Sequence, residues 1–230
     1  MPQFLLTLDT SGKNGFLALA EVLPGENPRV VEAVPRSGGT FSAELVPQIS
    51  TLLAKHGFTK SDLAGFAVIS GPGSFTGLRI GLAVIKGLAE ALERPIAAVS
   101  LLEALARSAS SAGRVLAVID AGRSQLYGGD YELMGMGLGV PARKYSERLL
   151  TRDQFRVEAK GKLVVTADAA LAGVLITAGM KCEHVTYPDS QLIARLGWQQ
   201  IERGQVTSPD ALEANYVRCT DAEIFSHPKP

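Results

Sequence analysis

The feature that most constrains this chain is a glycine-rich run, residues 71–81, with four glycines and one proline in eleven residues. An apolar stretch at 66–70 precedes it and predicts a buried strand, and an apolar helical segment follows it. Glycine loses more backbone entropy on folding than any other residue, so a cluster of this density needs a structural reason. We expect the backbone here to come close to a phosphate, to a neighbouring helix or to another protein.

Two common nucleotide-binding loops do not match this run. A P-loop needs glycine, lysine and then serine or threonine, and no lysine follows these glycines at that spacing. The dinucleotide fingerprint G-x-G-x-x-G is missing too, because three residues separate Gly73 from Gly77. The next predicted strand, 95–99, ends at Ser100 without a carboxylate to hold a ribose. The spacing therefore argues against an NAD-dependent dehydrogenase.

Two apolar helices are predicted on either side of the 66–70 strand. The second, 74–92, has Ser74 as its N-cap and is apolar almost all round. The first, 41–56, contains Pro47, where we expect the helix to start or to kink. Such helices are either buried in the core or covered by a partner, and the pattern alone leaves both interpretations open.

Composition restricts the class of protein. The 230 residues carry 23 basic and 23 acidic side chains, and this balance argues against an autonomous nucleic-acid-binding protein. The two cysteines lie far apart and fit reduced thiols in a cytoplasmic protein. The three histidines are scattered without a metal-binding motif, so we expect no metal site. We also predict no signal peptide and no membrane-spanning segment.

The order of predicted elements divides the chain into two α/β lobes. In the first, 1–103, three antiparallel strands at 3–8, 15–21 and 29–34 precede a helix–strand–helix–strand pattern. The second, 104–230, begins again with a strand at 115–119, and its last helix can pack back on the first lobe. Its other predicted elements are strands at 125–133 and 163–166, a short helix capped by Thr151, and helices at 168–178, 190–203 and from Ser208 onward.

An aspartate at the end of a strand, followed closely by glycine, occurs once in each lobe. Asp9, Thr10 and Ser11 follow the first strand, and Asp120 follows the strand at 115–119. In the actin, sugar kinase and Hsp70 group, such loops meet phosphate oxygens through their amides and Mg²⁺ through the carboxylate. For any single aspartate, an Asx turn that closes a hairpin is the commoner explanation, so both interpretations stay open.

Four segments together resemble the TsaB family, also called YeaZ: residues 8–11, the run 71–81, residues 119–123 with Tyr127, and the tail 215–218. The resemblance is strong to about residue 100 and looser beyond it. It implies an ASKHA fold, related to actin-like ATPases and RNase H, with two lobes that each hold a mixed β-sheet flanked by helices. It also implies a role in making N6-threonylcarbamoyladenosine (t6A), next to the anticodon of tRNA.

In that family, TsaB is the non-catalytic subunit that pairs with TsaD, and the ATPase TsaE joins the pair. TsaD carries the metal and the transferase site through a His-x-x-x-His helix, whereas Phe41 stands here where the family usually has histidine. The resemblance therefore implies no catalytic residue and no cofactor in this chain. ATP and Mg²⁺ are expected only in the whole complex, tRNA binds only through the complex, and a homodimer is an option for the isolated chain.

The partner surface implied by the resemblance lies on the two apolar helices, whose glycines would permit close packing. It comprises Phe41, Leu45, Ile49, Ser74, Phe75, Thr76, Gly77, Ile80, Gly81, Val84 and Leu88. A Gly81→Trp variant is accordingly expected to lose the partner and keep its fold.

The alternative, from a different functional class, is a stand-alone ASKHA-type ATPase or ATP-dependent phosphotransferase that uses Asp9 and Asp120 with Mg²⁺. It would need an adenosine pocket in the second lobe. The corresponding stretch, 166–169, lacks the glycines of an adenosine-binding turn, and its side chains would crowd a base. The sequence therefore favours the subunit over the stand-alone enzyme.

Overall fold

The computed structural model describes residues 3–36, 41–135, 137 and 140–215, with only the backbone of Arg36 and of residues 41–43. Within these residues the chain forms two compact units. Unit 1 contains the residues up to Ala104 together with Tyr187–Ala214, and unit 2 contains Leu105–Thr186 and Asn215. The division lies one residue beyond the expected boundary at 103, and residues 187–214, expected in the second lobe, belong to unit 1.

The elements follow most of the predicted order. They are β1 (Gln3–Asp9), β2 (Gly15–Val22), β3 (Arg29–Arg36), α1 (Phe41–Lys55), β4 (Leu63–Gly71), α2 (Phe75–Leu92), β5 (Ile96–Ser100), α3 (Leu101–Ala106), β6 (Gly113–Gly122), β7 (Gln125–Leu133), β8 (Ala142–Thr151), α4 (Arg152–Glu158), β9 (Leu163–Thr166), α5 (Ala169–Thr177), β10 (Cys182–His184) and α6 (Ser190–Glu202). None of the helices in the described ranges combines the length and the apolar character needed to cross a membrane.

Unit 1 is built on one five-stranded sheet in the order β3-β2-β1-β4-β5. The opening strands β1, β2 and β3 are antiparallel neighbours, as predicted from the short turns that join them. β1 is parallel to β4 and β4 is parallel to β5, with helices in the crossovers. Because the carboxyl ends of β1 and β4 meet at the same edge of the sheet, Asp9 lies beside the start of the glycine-rich run.

Helices cover both faces of this sheet. On one face, Leu45 of α1 and Ile85 of α2 join the apolar core formed by alternate residues of the strands. On the other face lies α6, where a Cβ on Gly197 would come closer than 3.0 Å to the Cβ of Ala67 in β4. Pro47 lies inside α1, which begins at Phe41, so the helix does not start at the proline.

Unit 2 holds a second five-stranded sheet in the order β10-β9-β6-β7-β8. The helices α4 and α5 pack on it through an apolar cluster that includes Phe155, Val164 and Leu175. Thr151 caps α4 as predicted, and its hydroxyl accepts the N–H of Gln154 at 3.3 Å. Both edge strands of this sheet escape prediction from the sequence, because β10 has only three residues and the charged residues of β8 obscure any alternation.

The helix predicted from Ser208 onward is wrong for the described part of that segment. Ser208 begins a single turn, in which its hydroxyl accepts the N–H of Ala211 at 3.3 Å and its carbonyl accepts that of Leu212 at 3.0 Å. Just before it, the N–H of Thr207 donates to the carbonyl of Ile96 at 2.8 Å. Leu212 is buried in the core of unit 1, so tertiary contacts outweigh the local helix signal here.

Candidate functional site

Asp9 ends β1 in the interior of unit 1, where the chain itself supplies hydrogen bonds to both of its carboxylate oxygens. The residue is 0% exposed. Its Oδ1 accepts the backbone N–H of Ser11 at 2.7 Å and the Ser11 hydroxyl at 2.6 Å. Its Oδ2 accepts the hydroxyl of Tyr187 at 2.8 Å, and the two hydroxyl oxygens lie 3.2 Å apart. An Asx turn and one long-range bond therefore hold the carboxylate in place.

The electrostatics of this cluster follow from its burial. Burial raises the pKa of Asp9 above its ordinary value, and the hydrogen bonds from Ser11 and Tyr187 oppose that shift. Burial also raises the pKa of Tyr187, and the neighbouring charge on Asp9 adds to the effect. Tyr187 therefore keeps its proton at neutral pH and serves as a donor to Asp9.

The loop after Asp9 packs tightly under the start of α2. A Cβ on Gly77 would come closer than 3.0 Å to the carbonyl oxygen of Thr10, and a Cβ on Gly81 would come equally close to the Thr10 side chain. A Cβ on Gly73 would clash in the same way with the backbone of Ser11. The glycines therefore let α2 approach a loop of the same chain, a contact that differs from the phosphate, the neighbouring helix and the other protein expected of this run.

The predicted partner surface divides into buried and exposed residues. Leu45, Ile49, Gly77 and Gly81 are buried inside unit 1, which corrects the part of the prediction that gave these four to a partner. A Gly81→Trp variant cannot keep the native packing, because even a Cβ at that position meets Thr10. Of the predicted partner residues, those that are exposed or half-buried are Ser74, Phe75, Thr76, Ile80, Val84 and Leu88. The side chain of Phe41 lies outside the described part of the structure.

Asp120 lies in unit 2 and has a different environment from Asp9. It is exposed near the end of β6, and its Oδ1 accepts the N–H of Gly122 at 3.0 Å. This contact is typical of an aspartate that closes a hairpin. The two strand-end aspartates thus share a local turn but differ in burial.

The described part of the chain shows neither a metal cluster nor a glycine turn at residues 166–169, the two features that nucleotide chemistry would need. The described ranges contain no group of three or more histidine, cysteine or acidic side chains placed to hold a metal ion. In the stretch 166–169, Thr166 is buried and Asp168 caps α5, accepting the N–H groups of Ala170 and Leu171 at 2.9 and 3.0 Å. The Asp168 side chain is therefore occupied in capping α5, and Thr166 is enclosed in unit 2.

Tyr187 is the residue of this site that sequence reasoning misses. Its hydroxyl finds its acceptor 178 residues away, on Asp9. No local pattern around a tyrosine in a connecting segment can indicate such a contact, because it depends on residues 187–214 returning to unit 1.

Comparison with known proteins places the chain in a family. A family model described as "TsaD: tRNA N6-adenosine threonylcarbamoyltransferase" matches residues 34–149, half of the chain. The tRNA threonylcarbamoyladenosine biosynthesis protein TsaB of Bacillus subtilis is 35% identical over 129 residues, which are 56% of this chain and 55% of that protein. The Escherichia coli protein of the same name is 38% identical over 104 residues, 44% of each chain. The chain thus spans about half the length of the curated relatives it matches.

Solved structures extend the likeness over nearly the whole chain. YeaZ from Pseudomonas aeruginosa has a TM-score of 0.68 and 29% sequence identity, over 93% of this chain and 99% of that one. The chain belongs to the TsaB (YeaZ) family. A second Pseudomonas aeruginosa structure, of a protein with similarity to peptidase YEAZ, has a TM-score of 0.69 and 28% identity over 94% of this chain and 100% of that one. The fold is accordingly of the ASKHA type, with two lobes, as the resemblance implied.

Proposed function

We propose that this protein is a non-catalytic subunit that binds TsaD and supports transfer of the threonylcarbamoyl group to the adenosine next to the anticodon of tRNA. Its TsaB relatives are named for biosynthesis of that nucleoside. In this proposal the ATPase TsaE joins the pair, tRNA is bound only through the complex, and the isolated chain can pair with itself through the same surface.

The observation that carries the proposal is the outward face of α2. Ile80, Val84 and Leu88 recur at helical spacing along one side of α2, where they flank the core and are only half-buried. Phe75, on a different side at the start of the helix, is 45% exposed. Gly87 on the same helix is open, since a Cβ there would meet nothing within 4 Å. Apolar side chains left partly exposed on a helix favour coverage by another protein.

The Asp9 cluster supports a non-catalytic role. A Mg²⁺-bound phosphate at the end of β1 would need the carboxylate of Asp9, whose two oxygens already accept bonds from Ser11 and Tyr187. Gly77 and Gly81 of α2 lie directly against the carbonyl oxygen and the side chain of Thr10 in the same loop. Binding a nucleotide there would require breaking these contacts, so the stand-alone ATPase is disfavoured.

Co-purification with the host's TsaD, followed by a threonylcarbamoyl transfer assay with and without this chain, tests the proposal. We expect a stoichiometric complex and transfer that needs both proteins. Absence of a complex, or transfer at the full rate without this chain, would contradict the assigned role. ATP turnover by the purified chain alone, lost in Asp9→Asn, would instead support the enzyme.

The placement of the surface is tested by Phe75→Glu. A glutamate at this position can pair with Arg79 one turn later, so the helix is expected to persist. Loss of the buried phenyl group from an interface should weaken TsaD binding about ten- to a hundredfold, equivalent to roughly 1.4–2.8 kcal/mol. Ile176→Glu, which changes a 55% exposed isoleucine of unit 2, is the matched control and should bind normally. A folded Phe75→Glu protein that binds like the control would exclude this placement.

A further inference from the structure

Unit 2 contains a pocket that the proposed function does not use. It has a volume of about 370 Å³ and lies between α4, α5 and the β6–β7 hairpin. Volumes of this size are typical of sites for small organic ligands. Most of its lining is apolar, from Leu126, Phe155, Leu171, Val174, Leu175 and Met180.

Two arginines provide positive charge at this pocket. Arg152 and Arg156 are four residues apart on α4, so they lie on the same face of the helix. Arg152 has no ion pair within the described ranges, and Arg156 reaches only Asp153, at 3.5 Å, with side chains that are 73% and 93% exposed. An exposed pair at this distance contributes little, so both guanidinium groups are available to a ligand.

The acidic residues of the lining are already engaged by the backbone. Asp120 accepts the N–H of Gly122, and Asp168 accepts those of Ala170 and Leu171. Their charge nevertheless stays beside the pocket and disfavours a ligand with several negative charges, such as a polyphosphate. A single negative group placed at the arginines is the better electrostatic match.

We propose that this pocket binds a small amphipathic anion, with an apolar or aromatic body against Phe155, Leu171 and Met180 and one carboxylate or sulfonate group at Arg152 and Arg156. The apolar body is released from water on binding, and the anionic group fixes its orientation. Val174, which lines the pocket and is 66% exposed, gives the ligand further apolar surface to cover.

A fluorescence titration with anilinonaphthalene sulfonate measures binding directly. We expect saturable binding at one site per chain, with displacement by phenylbutyrate and none by phenylbutanol, its neutral counterpart of similar shape. A variant that carries both Arg152→Gln and Arg156→Gln loses the two positive charges and should bind the probe about tenfold more weakly, or weaker still. Lys160→Gln removes an exposed positive charge outside the lining and should leave binding unchanged.

Glutamate substitutions at two neighbouring alanines distinguish binding in the pocket from a general effect of the charge on unit 2. Ala170 lines the pocket, whereas its neighbour Ala169 does not, and both are exposed in the first turn of α5. Glutamate is favourable at a helix N-terminus, so Ala170→Glu and Ala169→Glu should both fold, which thermal melting checks. We expect about tenfold weaker binding for Ala170→Glu and a smaller change for Ala169→Glu.

The outcomes are decisive in either direction. Anion-selective binding that Ala170→Glu weakens more than Ala169→Glu supports the proposal. Absence of saturable binding, equal displacement by phenylbutyrate and phenylbutanol, or equal loss in the two glutamate variants overturns it. Displacement by ATP with the same dependence on Arg152 and Arg156 would assign the pocket to a nucleotide and overturn it as well.

Discussion

Replacing Gly77 with alanine tests whether the glycine-rich run serves packing inside unit 1. A Cβ at this position would lie closer than 3.0 Å to the carbonyl oxygen of Thr10, a backbone group that no rotamer change can move away. Overpacking of this kind costs about 1–3 kcal/mol, and the helix propensity of alanine returns at most about 1 kcal/mol. Because Asp9 and Ser11 hold the loop on both sides of Thr10, little relaxation is available. We therefore expect a net loss of about 2 kcal/mol in the free energy of unfolding.

Gly87→Ala is the matched control on the same helix. A Cβ on Gly87 would meet nothing within 4 Å, and the residue is exposed. This change should stabilise the protein by about 0.5–1 kcal/mol, since alanine has less backbone entropy to lose. The two variants should differ by about 3 kcal/mol, or roughly 6–12 °C in melting temperature for a chain of this size. Thermal and urea denaturation followed by circular dichroism measure both. A Gly77→Ala protein as stable as Gly87→Ala would refute the packing argument.

Three further substitutions test the buried polar groups, each by urea denaturation. Tyr187→Phe leaves one oxygen of the buried Asp9 without its donor and should cost about 1–3 kcal/mol; an unchanged midpoint would mean that water replaces the hydroxyl. Because the pKa of Asp9 is raised in the folded state, its protonated form favours folding, and this contribution is lost as pH rises above about 3.8, the ordinary value. The stability of Asp9→Asn relative to the wild type should therefore increase as pH rises from that value, and a pH-independent difference would contradict the shift. The side chain of Asp130 is 8% exposed and accepts hydrogen bonds from Lys162 at 2.7 Å and from Arg114 at 2.6 Å. Asp130→Ala should therefore cost about 3 kcal/mol. Asp153→Ala, at an exposed ion pair, should cost less than about 0.5 kcal/mol, and similar losses in the two would disprove the distinction.

Much of the fold could be predicted because local signals and tertiary structure agree. Short turns determine the antiparallel opening of unit 1, and Ser74 and Thr151 cap the helices that they were predicted to cap. The failures have physical causes as well. β8 is an edge strand in which charged residues stand side by side and hide any alternation, and the turn at Ser208 ends where Leu212 enters the core.

The candidate site was predicted less well than the fold, because its decisive contacts are long-range. Asp9 and Ser11 were recognised from the strand-end motif, but their partner Tyr187 comes from a segment far along the chain. The glycine-rich run indicates a place of close backbone approach. That the approach is to Thr10 cannot be read from the run, because this contact depends on the parallel pairing of β1 and β4. Periodicity shows that a helix has two apolar stripes and does not show which stripe the core covers.

The burial of Gly77 and Gly81 also determines how variants of α2 must be interpreted. A bulky side chain at either glycine displaces the Asp9 loop, so it disturbs the fold whether or not α2 is an interface. Loss of TsaD binding in such a variant therefore does not identify a contact. Substitutions at Phe75, which is exposed and can be exchanged without entering the core, separate the two causes. Only a variant that melts like the wild type and fails to bind TsaD supports the outer face of α2 as the interface.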